Sequence, residues 1–216
     1  MREVQDHYFK QAKRDGYRSR AAYKLIEILD RKRLITRGER VLDAGAAPGS
    51  WCQVLERKLG PRGTIVGIDL KPIDGSDLGQ NVHLVVGDLQ EASLEELGGV
   101  PFDTIVSDMA PDTTGDHFGD HHRSIRLCHM LLDRAPAWLA PGGNLVMKVF
   151  EGEAYRDLLD RTNRLFEKAK GFKPAASRSE SVEMFVVAQG FTPVEEAQDP
   201  SDSLPKRKPS TGWGDS

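Results

Sequence analysis

Four successive apolar runs in this 216-residue chain end on an aspartate. They are Val41-Leu42-Asp43, Ile65-Val66-Gly67-Ile68-Asp69, Val82 to Val86 followed by Gly87-Asp88, and Ile105-Val106-Ser107-Asp108. A fifth, Leu145-Val146-Met147, ends on Lys148. Short apolar runs separated by helical stretches read as parallel strands. Helical crossovers bring the carboxyl ends of such strands to one edge, where ligands of open α/β sheets bind. Four carboxylates and an ammonium are too polar for a core end and suit a cationic ligand rich in hydroxyl groups. The expected fold is a single α/β domain around a seven-stranded, mainly parallel sheet whose last strand is antiparallel.

The composition, 38% apolar and 29% charged, is that of an ordinary globular chain. No run is long enough for a bilayer span and the N-terminus is charged rather than signal-like, so the expectation is a cytoplasmic protein without membrane contact. Cys52 and Cys128 have neither metal nor redox spacing and read as buried thiols. The net charge of −3 hides a basic N-terminal segment, with 12 Lys/Arg against 6 Asp/Glu from Met1 to Arg40. Such a segment suggests a polyanionic partner, because phosphate neutralisation is local. Arg18, Arg20, Lys24, Arg31, Lys32 and Arg33 are candidates for phosphate contacts. Tyr8, Phe9 and Tyr17 either stack on a base or pack on the domain.

Along the chain, residues 1–17 read as an arm, 18–190 as the domain and 191–216 as a tail without fixed structure. Ser19 is placed to cap a helix running to about Leu34. A short helical piece is expected around Leu94 to Leu97, then a long loop from Met109 to about His122. Helices follow over Ser124 to Leu139 and Glu153 to Lys168. A sixth strand is expected to start at Phe172-Lys173, and a seventh to cover Ser181 to Ala188.

The turn Asp43-Ala-Gly45-Ala-Ala-Pro48-Gly49 opens a helix. Gly45 and Gly49 let backbone approach a ligand, and the helix N-terminus offers N–H groups to a carboxylate or phosphate. The turn lacks the spacing of dinucleotide-binding and phosphate-binding loops. A nucleoside carrying an amino acid fits better than one carrying pyrophosphate. Asp69 stands where a ribose diol is gripped, and Asp88, with Leu89 behind it, can accept from an adenine amino group.

Four ordered segments carry a family resemblance. They are Val41-Leu-Asp43-Ala-Gly-Ala-Ala-Pro-Gly-Ser-Trp51, Asp15-Gly-Tyr-Arg-Ser-Arg-Ala-Ala-Tyr-Lys24-Leu, Ser107-Asp108-Met-Ala-Pro111 and Met147-Lys148-Val-Phe-Glu-Gly. From about Tyr8 to Ala188 the chain resembles the FtsJ-type (heat-shock) ribosomal RNA ribose 2'-O-methyltransferases. The resemblance implies a Rossmann-like class I fold that uses S-adenosyl-L-methionine. It also implies a catalytic tetrad of Lys24, Asp108, Lys148 and a glutamate, Glu183 by its position before the apolar strand, with Glu180 as fallback. Cofactor contacts fall to Gly49, Trp51, Asp69, Asp88 and Asp108, with Asp43, Gly45, Pro48 and Leu89 beside them. Ser50 and Leu89 depart from the family's usual glycine and phenylalanine.

Methyl transfer to a ribose hydroxyl is an in-line displacement in which alignment supplies most of the acceleration. Lys148 either takes the hydroxyl proton or, staying protonated, steers the oxygen. A lysine among Leu145, Val146, Met147, Val149 and Phe150 needs carboxylate partners, since burying it unpaired costs several kcal/mol. The implied substrate is a uridine of 23S rRNA in the large ribosomal subunit, modified by a monomer without a protein partner. The rivals are a transfer RNA or mRNA cap ribose methyltransferase, and a non-catalytic RNA-binding assembly factor. The His- and Asp-rich stretch Asp112 to His122 could ligate a metal, but the chemistry needs none and none is expected.

Overall fold

The computed structural model describes residues 2–177 and 181–193. Helices α1 (Arg2–Arg14) and α2 (Ala21–Lys32) precede β1 (Arg40–Ala44), α3 (Ser50–Leu59), β2 (Thr64–Asp69) and β3 (Val82–Val86). Then come β4 (Phe102–Ser107), α4 (His117–Trp138), β5 (Leu139–Phe150), α5 (Tyr155–Leu165), β6 (Phe166–Phe172) and β7 (Glu183–Phe191). The sheet order is β3-β2-β1-β4-β5-β7-β6. The pairs from β3 through β5 are parallel, whereas β7 runs antiparallel to both β5 and β6. Strand order reverses between β1 and β4, which opens the crevice expected of a doubly wound sheet above their carboxyl ends.

Alternation along the strands divides the core in two. Leu42, Val66, Ile105, Leu145, Met147 and Val186 face α4 and α5, where Leu131, Leu132, Trp138 and Leu158 cover them. Val41, Ile65, Val106, Val146, Phe185 and Val187 face α2 and α3, meeting Leu25, Ile28, Trp51 and Leu55. Burial on both faces forces near-continuous apolar strands, so polar residues are displaced to the strand tips.

Several local expectations are corrected. The N-terminal arm is in fact helical: α1 buries Ala12 to 2% exposure and sets Tyr8 5.5 Å from the Tyr23 ring. Arg20, not Ser19, occupies the cap position of α2, while the Ser19 hydroxyl accepts from Ala21 N–H at 3.2 Å. Residues 94–97 form turns rather than a helix. Helix α4 starts at His117 because the Asp116 carboxylate caps it, accepting from Phe118 N–H, so the loop after β4 is shorter than its composition suggests. Helix α5 ends at Leu165, and the sixth strand ends at Phe172 instead of starting there. Strand β7 begins at Glu183 and carries on to a buried Phe191. The expected tail from 194 onward and the fallback Glu180 lie outside the described residues.

Candidate active site

Strand β1 delivers Asp43 to a position that is 1% exposed. Its Oδ2 accepts from the Cys52 thiol at 3.3 Å, while Oδ1 has no hydrogen-bond partner. Burial, with the neighbouring Asp108 and Asp69 charges, pushes this carboxyl up to about 7 against the lowering effect of the Cys52 bond. Burial and the Asp43 charge push the Cys52 thiol far up, so it stays a donor. The turn after Asp43 is tight. Gly45 has φ +79°, and a side chain there would meet Met109 Cγ at 2.3 Å. Gly49, φ +99°, caps α3 where a Cβ would stand 2.6 Å from an Arg18 nitrogen.

The neighbouring tips have distinct tasks. Asp69 accepts from Ala47 N–H and Lys71 N–H, each at 2.9 Å, and so braces the turn. Asp88 is exposed past β3 and accepts from Gln90 N–H at 2.9 Å. Leu89 is buried in the core behind it. Pro48 is exposed, and its carbonyl accepts from Arg18 at 2.8 Å. Trp51 packs inside, its indole N–H donating to Ala21 O at 2.9 Å, so only its backbone faces the turn. Arg18 also pairs with Asp77 and the Asp74 carbonyl, which commits it to holding the β2–β3 connection instead of a phosphate.

Beside the turn, four charged side chains converge. Glu183 Oε1 lies 2.7 Å from Lys24 Nζ, which lies 4.0 Å from Asp108 Oδ1, which lies 2.9 Å from Lys148 Nζ. The side chains are 9–21% exposed. The Lys148–Asp108 contact is an ion pair rather than an aligned hydrogen bond, because Asp108 Oδ1 has no aligned donor. Lys148 instead donates to the Asp108 backbone carbonyl. Ser177 donates to Glu183 Oε1 at 2.8 Å. Burial would raise the Glu183 carboxyl, but Lys24, through its charge and hydrogen bond, with Ser177 and Lys148, holds it below its ordinary range.

Topology explains the convergence. Asp108 and Lys148 lie at the carboxyl ends of parallel neighbours. Antiparallel β7 brings its first residue to that same edge, with Glu183 opposite Phe150. Lys24 reaches in from α2, 5.9 Å from the Phe185 ring centroid. Sequence reasoning missed Ser177, which sits in a loop without pattern, and the pairing of Cys52 with Asp43. It also missed a helical His pair one turn apart, His117 and His121. His121 is 3% exposed, donating Nδ1–H to Phe150 O at 2.7 Å and accepting Ala154 N–H on Nε2 at 3.1 Å. Both of its nitrogens are therefore engaged, and among the described residues no group of three or more His, Cys, Asp or Glu is placed to hold a metal.

A doubly wound sheet of this order, with a glycine turn after β1 and acidic tips beside two lysines, defines a Rossmann-like methyltransferase. The profile of the FtsJ-like methyltransferases matches residues 17–191, and the chain belongs to that family. It is 43% identical over 190 residues to ribosomal RNA large subunit methyltransferase E of Psychrobacter sp. PRwf-1, covering 86% of this chain and 89% of that one. The protein of the same name from Pseudomonas aeruginosa PAO1 is 40% identical over 191 residues, covering 86% and 91%. Among solved structures, a Plasmodium falciparum protein described as a ribosomal RNA methyltransferase superposes with a TM-score of 0.70 at 28% identity, over 81% of this chain and 98% of that one. Aeropyrum pernix fibrillarin, solved with S-adenosyl-L-methionine, shares the fold at TM-score 0.56 and 18% identity, over 77% and 75%.

Proposed function

We propose that this chain methylates the 2'-hydroxyl of a uridine ribose in 23S rRNA of the large ribosomal subunit, with S-adenosyl-L-methionine as donor. The observation that carries the reading is the alternating row Glu183, Lys24, Asp108, Lys148, nearly closed to water at the edge where the glycine turn lies. A scaffold that only binds RNA needs no such ammonium–carboxylate row, and its desolvation is costly. The relatives named for large-subunit rRNA favour ribosomal RNA over transfer RNA or a cap.

The residues present fit the donor. Asp43 offers a buried, unpartnered carboxylate oxygen, and Gly45 and Gly49 leave no room for a side chain at their own positions in the turn. Leu70, 70% exposed beside Asp69, offers an apolar surface to a base. The donor supplies an electrophilic methyl group. Once its own proton has passed to solvent, Lys148 Nζ takes the hydroxyl proton as the oxygen attacks the donor's methyl group, and Asp108 holds that nitrogen in line. Lys24 and Glu183 keep the acceptor side fixed. Of the three candidate aromatics, Tyr8 and Tyr17 pack against Tyr23, which leaves Phe9, 64% exposed, for RNA. Every group of the row comes from one chain, so a monomer can carry out the reaction, and we place that monomer in the cytoplasm. Among the described residues no helix is long and apolar enough to cross a membrane.

The decisive experiment transfers labelled methyl from S-adenosyl-L-methionine to large ribosomal subunits and maps the product. Label on one ribose is expected; label on a base or on protein overturns the reading. Asp43 makes a second prediction. Its folded pKa is raised, so the stability it contributes is full at low pH and lost as pH rises through 7. Cofactor binding, which places a cation near the carboxylate, should tighten over the same rise. Calorimetric titration from pH 6 to 8 is expected to show that trend in the wild type, and a flat response in Asp43→Asn.

A further inference from the structure

We infer that the exposed first turn of α4, Phe118 with His122, docks a base of the RNA strand flanking the acceptor nucleotide. The inference deepens the reading above and rests on it. Phe118 is 62% exposed, yet it is not loose: its ring meets the His122 imidazole edge-on, 4.5 Å between centroids. The turn that carries it is pinned from two sides. Asp120, 6% exposed, accepts from Thr114 N–H and Gly115 N–H and pairs with Arg123, folding the post-Asp108 loop onto the helix. His121, through Phe150 and Ala154, ties the same turn to the end of β5. That packing is tight enough that a Cβ at Gly152 would stand 2.5 Å from the His121 ring.

The aromatic pair is therefore held at the rim of the edge that presents Asp108 and Lys148, two residues from the strand position that His121 grips. Its neighbours decide what it can bind. Asp112, Asp116 and Glu153 are exposed there, with Glu153 3.2 Å from His122. These carboxylates outweigh Arg126, exposed one turn beyond His122, and disfavour phosphate, so an RNA strand meets this rim with the uncharged face of a base. Its phosphates lie toward the basic α1–α2 side. An aromatic face is sequence-tolerant, and removing one stacked base weakens binding by about tenfold or more. The site thus contributes substrate hold and register rather than chemistry.

The test compares wild type, Phe118→Ala and Phe118→Trp in the full chain. With large ribosomal subunits, Phe118→Ala is expected to raise KM about tenfold without moving the Kd for S-adenosyl-L-methionine or the Tm. Phe118→Trp should restore KM, and its new indole fluorescence should be quenched by a 23S rRNA fragment. An unchanged KM in Phe118→Ala overturns the inference, as does a shift in sedimentation showing that this face joins two copies of the chain. Should the wild type transfer no methyl group, the function fails independently. The quenching of Phe118→Trp by RNA then decides the docking site alone.

Discussion

Lys148→Ala is expected to lower methyl transfer by roughly 10²–10⁴-fold, the range lost when a positioned proton acceptor is removed. S-adenosyl-L-methionine should still bind, because the polar contacts of the Lys148 side chain are with Asp108 and not with the glycine turn or Asp43. Single-turnover rates with saturating donor and large subunits give the measurement, with Tm followed in parallel because Asp108 loses its nearest cation. Lys148→Arg separates two roles. A guanidinium keeps its charge at every working pH and can hold an oxygen, but it cannot take a proton. Near-zero activity in Lys148→Arg identifies Lys148 as the proton acceptor; near-full activity assigns it to steering alone.

The second large effect falls on stability. Lys24→Ala leaves Glu183, 13% exposed on its side chain, without the cation 2.7 Å away. Breaking a buried pair from one side costs about 3 kcal/mol or more. The pH dependence should invert as well. In the wild type the Glu183 carboxyl is held low, so its contribution is present above the ordinary carboxylate range and lost as pH falls through the folded pKa. In Lys24→Ala burial acts with less opposition and raises that pKa, so acid stabilises the variant relative to neutral pH. Denaturant melts at pH 5 and pH 7 measure both statements. The double variant Lys24→Ala/Glu183→Gln should recover part of the loss, and simple additivity would show that the two side chains are not coupled.

The strand tips were legible because burial on both faces of a parallel sheet leaves polar residues only at strand ends. Asp43, Asp69, Asp108 and Lys148 each follow an apolar run and each reached the expected edge. Glu183 was reached through the family resemblance, and the fold supplies its physical reason: it precedes its run, and an antiparallel strand starts where the others finish. Arg18 was misread because basic charge does not reveal its partner, and Asp77 lies 59 positions away. Trp51 shows the same limit, since a motif position says where the backbone goes but not where an indole points. Helix α1 escaped because its burial rests on small or amphipathic residues such as Ala12 and Tyr8. The start of α4 escaped because His, Asp and Gly imitate a loop until Asp116 and Asp120 are seen bonding backbone N–H groups. Ser177 carries no pattern at all, and only the fold brings it to Glu183.

The position of β7 bears on how the molecule comes to be active. Among the described residues this strand is made after every other one, yet it inserts between two that precede it, and β6 is joined to the sheet only through it. A nascent chain can therefore assemble the donor-side turn early, while the acceptor side waits for the closing strand to zip in and deliver its carboxylate. Completing the sheet and completing the charged row therefore require the same strand.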